Sequence, residues 1–357
     1  MQAQDSKKIG FKNQKLFIGL DVHKKSWHVT IMSKFICLKS FTQKPDAESL
    51  YHFLVHHYPG ARYVSAYEAG FCGYYHHRKL NELGVSNIVV NPADIPRSNK
   101  DSHYKTDKSD SRLIAEALRG GLLKGIHVFD KQSEEFRSLF RSRLALAKDI
   151  RRTRGRIKSF MAYRNIPVPV EFVRNPKSSE YFEWLKTLPF PDPTPRIQLS
   201  QFLERLLFLI EQRRVLEQRL RDIARKRDRE MFNLLQSVPG IGPISAIGIL
   251  AEIGDIGRFR HIKQFASYLG LIPRIQQSGE KERIGSITYR HNGYLRPLLI
   301  EAAWQAVRAD PAMLDYYQQR CKNGMNPKRA IVKVARKLLS KIMFVMRNRK
   351  KYERAIA

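Results

Sequence analysis

Four carboxylates stand where an acid is awkward. Asp21 closes an apolar run, LFIGLDV, and Glu68 lies at the end of another, RYVSAYEA. Asp107 and Asp110 follow in KTDKSD, just ahead of the helical pattern SRLIAEAL. A carboxylate in apolar surroundings costs free energy to desolvate unless a cation neutralises it. On one helix, Asp107 and Asp110 at i, i+3 share a face, roughly 5–6 Å apart. Converging hard oxygen ligands suit Mg²⁺ or Mn²⁺. Two such ions about 3.5–4 Å apart activate a nucleophile and stabilise the leaving oxygen in phosphoryl transfer. Each acid alone has a plainer use: Asp110 as a helix N-cap, Asp107 as a dipole partner, Asp21 paired with Lys24 or Lys25. Their joint placement at strand ends and a helix start points to a metal site. His23, His76, His77 and His103 lie near these acids in the chain, but exposed helix or loop histidines need no metal, and zinc is not expected.

A second group lies near the C-terminus. VPGIGPISA places Gly240 and Gly242 around Ile241, a hairpin that lets backbone N–H groups and a helix start face a phosphate. The pattern resembles the helix-hairpin-helix module; the plainer reading is an αα turn with a glycine cap. Beyond it, Ser278 precedes Gly279 in a segment carrying Arg274, Lys281, Arg283, Arg290 and Arg296, with Lys263 upstream. A serine hydroxyl is a weak nucleophile until a base, metal or cationic surround activates it. No Ser-His-Asp arrangement is evident locally, and spacing alone makes Ser278 a loop serine.

The whole chain explains the company these groups keep. Its 65 Lys and Arg against 33 Asp and Glu give a net charge of +32. Such self-repulsion works against compactness and is best explained by a polyanionic partner, nucleic acid first. A hydrophobic content of 43% excludes a disordered polycation. Cys37, Cys72 and Cys321 are isolated, which supports neither a zinc ribbon nor a disulfide framework and fits a reducing cytoplasm. The N-terminus has no signal-peptide core, and no apolar run approaches a membrane span. The expected place is the cytoplasm, with no membrane partner.

Three stretches of texture predict three domains: 1–130, 131–230 and 231–357. In the first, an apolar, β-rich run predicts a strand over 16–22 and apolar alternation predicts strands over 27–32 and 36–41, the three as an antiparallel meander. A helix over 46–57, a strand over 62–69, a helix over 73–84 and a strand over 86–92 follow. That order predicts an α/β domain with a mixed sheet, as in RNase H-like nuclease folds. It makes the first and fourth strands neighbours, so Asp21 and Glu68 converge. In the second stretch, 136–164 is helical and dense in Arg and Lys, including Arg151, Arg152 and Arg154. A Pro-rich excursion over 165–199 leads to another helix over 200–230. The two helices suggest an antiparallel pair or a coiled-coil arm, or a simple linker packed on its own domain. The third stretch reads as helix, glycine turn and helix over 237–254, then amphipathic helices including 294–308 and 326–348.

Taken together, GLDVHK, YEAG, KTDKSD, SVPGIGPISA and LGLIPR…QSG…GSIT…NGYLR resemble the DEDD-type transposases of bacterial insertion sequences, the insertion-sequence one-hundred-ten family with its Piv-type invertase relatives. The likeness extends over roughly 16–345. It implies a RuvC-like RNase H fold, a helical or coiled-coil connection, and a mostly α C-terminal transposase domain. It places the family's acids on Asp21, Glu68, Asp107 and Asp110, and its catalytic serine on Ser278. It implies DNA recombination by a serine nucleophile through a phosphoserine link, assisted by Mg²⁺. It further implies donor and target double-stranded DNA, a bridge RNA that guides the enzyme, and a homo-oligomer, dimer or tetramer. Where the family usually carries Lys after the Ile-Thr step, Tyr289 and then Arg290 follow here; Arg also binds phosphate well. The rival reading is a junction-resolving endonuclease in which metal-activated water cuts the strand.

Overall fold

The computed structural model describes residues 10–96, 107–278 and 281–353; for Asp107, Lys108 and residues 275–278 and 281–284 it describes the backbone alone. The chain divides into two compact units, Met1–Val128 and Phe129–Ala357.

Unit one is built on a five-stranded sheet. Its strands are β1 (Lys15–Val22), β2 (Trp27–Met32), β3 (Cys37–Gln43), β4 (Arg62–Glu68) and β5 (Ser86–Val90), in the order β3-β2-β1-β4-β5. β1, β2 and β3 pair antiparallel, while β4 pairs parallel with both β1 and β5. Three helices cover it: α1 (Ala47–His57), α2 (Tyr75–Glu82) and α3 (Asp107–Arg119). Period-two alternation decides which helix meets which face. Leu16, Ile18 and Leu20 of β1 are fully buried in a core with Leu50 and Leu54 of α1 and Leu80 of α2. Phe17 on β1, Val64 and Ala66 on β4, and Val90 face the other way, onto Ile114 and Leu118 of α3.

Gly19 is required where β1 passes under α3. A Cβ there would sit 2.0 Å from the Ser111 carbonyl oxygen and 2.5 Å from the Ala115 nitrogen. The missing side chain lets the helix backbone rest directly on the strand. Thr30 of β2, opposite Gly19, adds a buried hydroxyl contact of 2.8 Å to Ser111.

Unit two is mainly helical. Its long elements are α4 (Lys131–Tyr163) and α7 (Pro193–Gln236), joined through two short helices, α5 (Val170–Arg174) and α6 (Ser179–Thr187). The segment expected to be irregular is thus partly helical. Pro169 precedes α5, and Pro193 starts α7, where the N–H that proline lacks would be unpaired anyway. α4 and α7 run antiparallel: Phe136 and Phe140 share a core with Leu220 and Ala224, whereas Ile157 and Phe160 share another with Leu199, Leu203 and Leu206. α7 breaks at Asp228 (φ −159°, ψ 87°), whose carboxylate accepts from Met231 N at 2.9 Å and from the Arg349 guanidinium at 2.9 and 3.0 Å.

The remaining helices are α8 (Pro243–Ile253), α9 (Ile262–Tyr268), α10 (Leu295–Ala309), α11 (Pro311–Lys322) and α12 (Pro327–Asn348). Between α9 and α10, β6 (Pro273–Ser278) and β7 (Lys281–Ile287) form a two-stranded antiparallel ribbon. Ser278, expected in a tight loop, is instead the last residue of β6, opposite Lys281.

Candidate active site and nucleic-acid groove

In the sheet register, Leu20 lies opposite Tyr67, so Asp21 and Glu68 are the next residues on parallel neighbours. Asp21 is two residues beyond Gly19, and Glu68 two beyond Ala66. Both therefore point to the face that α3 covers. The direction of α3 follows from its ends. Arg119, its last residue, reaches the Phe35 carbonyl in the β2–β3 turn, beyond Met32, which pairs with Phe17 near the start of β1. α3 thus runs opposite to β1, and its first turn, with Asp107 and Asp110, lies toward the strand end that carries Asp21 and Glu68. Asp110 is buried and Asp21 is only 18% exposed through its side chain.

Asp21 Oδ2 lies 3.0 Å from His23 Nε2. Among the described residues no three acid, histidine or cysteine side chains are drawn close enough to hold a metal ion; the side chain of Asp107 lies outside them. The four predicted acids are hard oxygen donors that fit Mg²⁺ or Mn²⁺, and His23 stands beside Asp21 as a nitrogen neighbour. Two of the neighbouring histidines have other partners: His76 packs edge-on against Trp27 at 4.7 Å between ring centres, and His77 Nδ1 bonds Asn87 Oδ1 at 2.8 Å. His103 lies outside the described residues.

The C-terminal candidates separate into distinct roles. Gly240 has φ +81°, and a Cβ there would lie 2.1 Å from the Ala302 carbonyl oxygen, so its first duty is close packing on α10. A Cβ on Gly242 would meet open space. Gly240, Ile244 and Ser245 line a groove of about 1000 Å³ together with Arg143, Lys148 and Arg151 of α4. Arg152 is exposed and 3.5 Å from Asp149. Arg154 was expected on phosphate. Its Nε is instead buried without a hydrogen-bond partner beside the apolar cleft of the helical arm, and burial, then the nearby Arg213, lowers its pKa. Arg296, also expected on phosphate, turns inward and donates to the Thr288 carbonyl at 2.7 Å and the Gly270 carbonyl at 3.4 Å. Arg274 is exposed and stacks on Tyr289 at 5.0 Å, and Arg290 is exposed. The side chains of Ser278, Lys281 and Arg283 lie outside the described residues.

Sequence reasoning missed one charged cluster. Glu252, fully buried on α8, receives Arg137 Nε at 3.0 Å, Arg141 Nε at 2.6 Å, Arg141 Nη2 at 2.9 Å and Asn292 Nδ2 at 3.0 Å. Burial pushes its carboxyl up, but the Arg141 hydrogen bond, Arg137 and Asn292 outweigh burial and hold it below the usual glutamate value. The signal was present in the chain: an acid inside the apolar run ILAEIG, the same anomaly that marks Asp21.

The sheet order and the acids at the ends of its inner strands define an RNase H-like domain, here joined to a mostly helical second unit. Two family models match the chain. The DEDD_Tnp_IS110 transposase model matches residues 18–163, and the transposase IS116/IS110/IS902 family model matches residues 232–318. A family 20 transposase relative from Pseudomonas aeruginosa is 31% identical over 252 residues, 68% of this chain and 71% of its own. The transposase for insertion sequence element IS1533 of Leptospira borgpetersenii is 27% identical over 313 residues, 82% of this chain and 85% of its own. A transposase relative from Sinorhizobium fredii is 31% identical over 238 residues, 67% of this chain, and the match spans 57% of that relative's length. The chain belongs to the IS110/IS116/IS902 family of DEDD transposases, enzymes that act on DNA. RNase H-like domains of this type typically depend on a divalent metal. No helix among the described residues is long and apolar enough to cross a membrane.

Proposed function

We propose that this transposase is a bridge-RNA-guided recombinase whose nucleophile is Ser278. The observation that supports its metal-assisted half is the placement of β1, β4 and the first turn of α3, which sets the positions of Asp21, Glu68, Asp107 and Asp110 toward one end of one sheet face; Ser278 as nucleophile and the guide RNA rest on the likeness to the transposase family. In this reading those four carboxylates hold Mg²⁺ or Mn²⁺, which supplies charge neutralisation at the phosphate. The Ser278 oxygen forms a bond to phosphorus as the bond from phosphorus to one sugar oxygen breaks. The serine gives up its proton, and the departing sugar oxygen takes one up. Attack of a sugar hydroxyl from the new strand on the phosphoserine releases Ser278 and joins the DNA.

The remaining residues bind rather than react. Lys148 and Arg151 in the groove, the open Gly242 turn, and Arg274 and Arg290 beside the ribbon meet backbone phosphates of donor and target DNA or of the guide RNA. Lys281 and Arg283 on the ribbon join them. In this division 1–130 is the RuvC-like catalytic domain, 131–230 a helical connector, and 231–357 the transposase domain with its helix-hairpin-helix-like turn. The protein works as a homo-oligomer.

The test is a covalent trap. Denaturing gels of protein incubated with the DNA flanking its reading frame should show a protein–DNA adduct that Ser278→Ala abolishes. Cleavage by Ser278→Ala at the wild-type rate would identify water as the nucleophile and overturn the reading.

A further inference from the structure

We propose that Glu252 and Asn292 form an anchor that aims the β6–β7 ribbon, and so positions Ser278 at its tip; the catalytic consequence rests on Ser278 being the nucleophile. A two-stranded ribbon has no third strand to hold its direction. Among the described residues β6 and β7 pair as strands only with each other, and Ser278 stands at the far end. Six residues at about 3.3 Å each place it roughly 20 Å from the root, so a tilt of about 10° there displaces it by about 3 Å. A misplacement of about 1 Å can cost a reaction about 10²-fold. The root therefore governs the aim.

That root is bound from both sides. Thr288 N donates to the Ile272 carbonyl at 3.0 Å, and Asn292 N donates to the Tyr268 carbonyl at 3.0 Å. Arg296 ties the carbonyls of Gly270 and Thr288 together. Asn292 is the hinge between ribbon and helix. Its Oδ1 accepts from Tyr294 N at 2.9 Å and Leu295 N at 3.0 Å, which fixes the start of α10. Its Nδ2 donates to Glu252 Oε2 at 3.0 Å and to the Tyr268 hydroxyl at 3.0 Å. That hydroxyl in turn donates to the Glu252 carbonyl at 3.0 Å. Glu252 is then clamped by Arg137 and Arg141 of α4. Arg141 stacks on Tyr294 at 4.0 Å, and both line the groove. One buried carboxylate thus links the long basic helix, α8, α9 and the return of the ribbon.

A charge this deeply buried is a poor device for stability alone, because an apolar replacement often packs as well. Its directional bonds to Asn292 and two guanidiniums suit it to fixing an angle. Asn292→Ser separates the two roles of the asparagine, since serine still caps α10 but has no amide to reach Glu252. Glu252→Gln removes the charge while keeping the shape.

The experiment uses the full chain. Ser138 on α4 and Ser286 on β7 are changed to cysteine and spin-labelled, with Cys37, Cys72 and Cys321 replaced. The distance distribution is measured by pulsed electron spin resonance in the parent, Asn292→Ser and Glu252→Gln proteins. In parallel, single-turnover adduct formation and binding are measured on a duplex of the DNA flanking the reading frame, with RNA transcribed from the same flank. The anchor predicts a broadened or shifted distance in both variants, an adduct rate lower by about 10²-fold, and DNA affinity within about threefold of the parent. An unchanged distribution in folded Asn292→Ser overturns the anchor. A broadened distribution together with wild-type cleavage by Ser278→Ala keeps the anchor and removes the serine reading.

Discussion

Asp21 and Glu68 end adjacent strands with their side chains on the face of α3, and Asp110 is buried at that helix's start. Exchange of any one for its amide keeps size and removes charge. Asp21→Asn, Glu68→Gln or Asp110→Asn should lower strand cleavage by at least about 10²-fold, as losing a centre of electrostatic stabilisation does, while circular dichroism and DNA binding stay near wild type. Glu252 gives a pH prediction in the other unit. Its folded pKa is depressed, because the Arg141 and Asn292 bonds and the Arg137 charge outweigh the opposing effect of burial. A depressed carboxylate contributes stability that is fully present above its unfolded value, about 4.3, and is lost as pH falls through the folded value. Denaturant unfolding should therefore show an acid-side loss below about pH 4.3 that is smaller in Glu252→Gln.

At the scale of elements, two contacts govern geometry. α3 rests on β1 through the absent side chain of Gly19, with a would-be Cβ 2.0 Å from the Ser111 carbonyl oxygen. Gly19→Val should cost about 1–3 kcal/mol or more by overpacking and should also lower cleavage, because the lifted helix carries Asp107 and Asp110 with it. A midpoint shift in denaturant together with the cleavage rate checks both halves. The arm of α4 and α7 has its own core at the far end, where Leu206 is 1% exposed. Leu206→Ala should cost about 2–5 kcal/mol. Because that core is separate from the one around Phe140, hydrogen exchange should quicken around 150–206 and leave α8 to α12 protected.

The molecule as a whole carries +32, and that charge should appear as steep salt dependence of nucleic-acid affinity. Lys148 and Arg151 face the groove from one helix. Changing either to Gln should weaken binding to unrelated duplexes nearly equally and reduce the slope of log K against log salt by about 1. Arg154→Gln should leave that slope unchanged, since its guanidinium lies against the arm's apolar cleft rather than in the groove. Filter binding across a salt series separates the two outcomes.

Much of the first unit was legible because its strands are apolar, β-rich runs, and an acid stands at the end of two of them. An acid where the pattern demands an apolar residue advertises itself, so Asp21 and Glu68 could be named from the chain, and the strand order put them side by side. The direction of α3 could not be read that way. It depends on Gly19, Thr30 and the reach of Arg119, contacts between residues far apart in the chain. The ribbon reads as a loop in the sequence because its strands, PRIQQS and KERIGSI, are mostly polar and do not alternate. Arg154 and Arg296 looked like phosphate ligands because composition counts charges without saying where they point; packing turned Arg154 against the arm's cleft and Arg296 onto backbone carbonyls. Local pattern and net charge determined the kind of sheet, the acidic candidates and the polyanionic partner. Tertiary contact alone decided which end of the sheet the helix brings its acids to, and which cations line the groove and which turn inward.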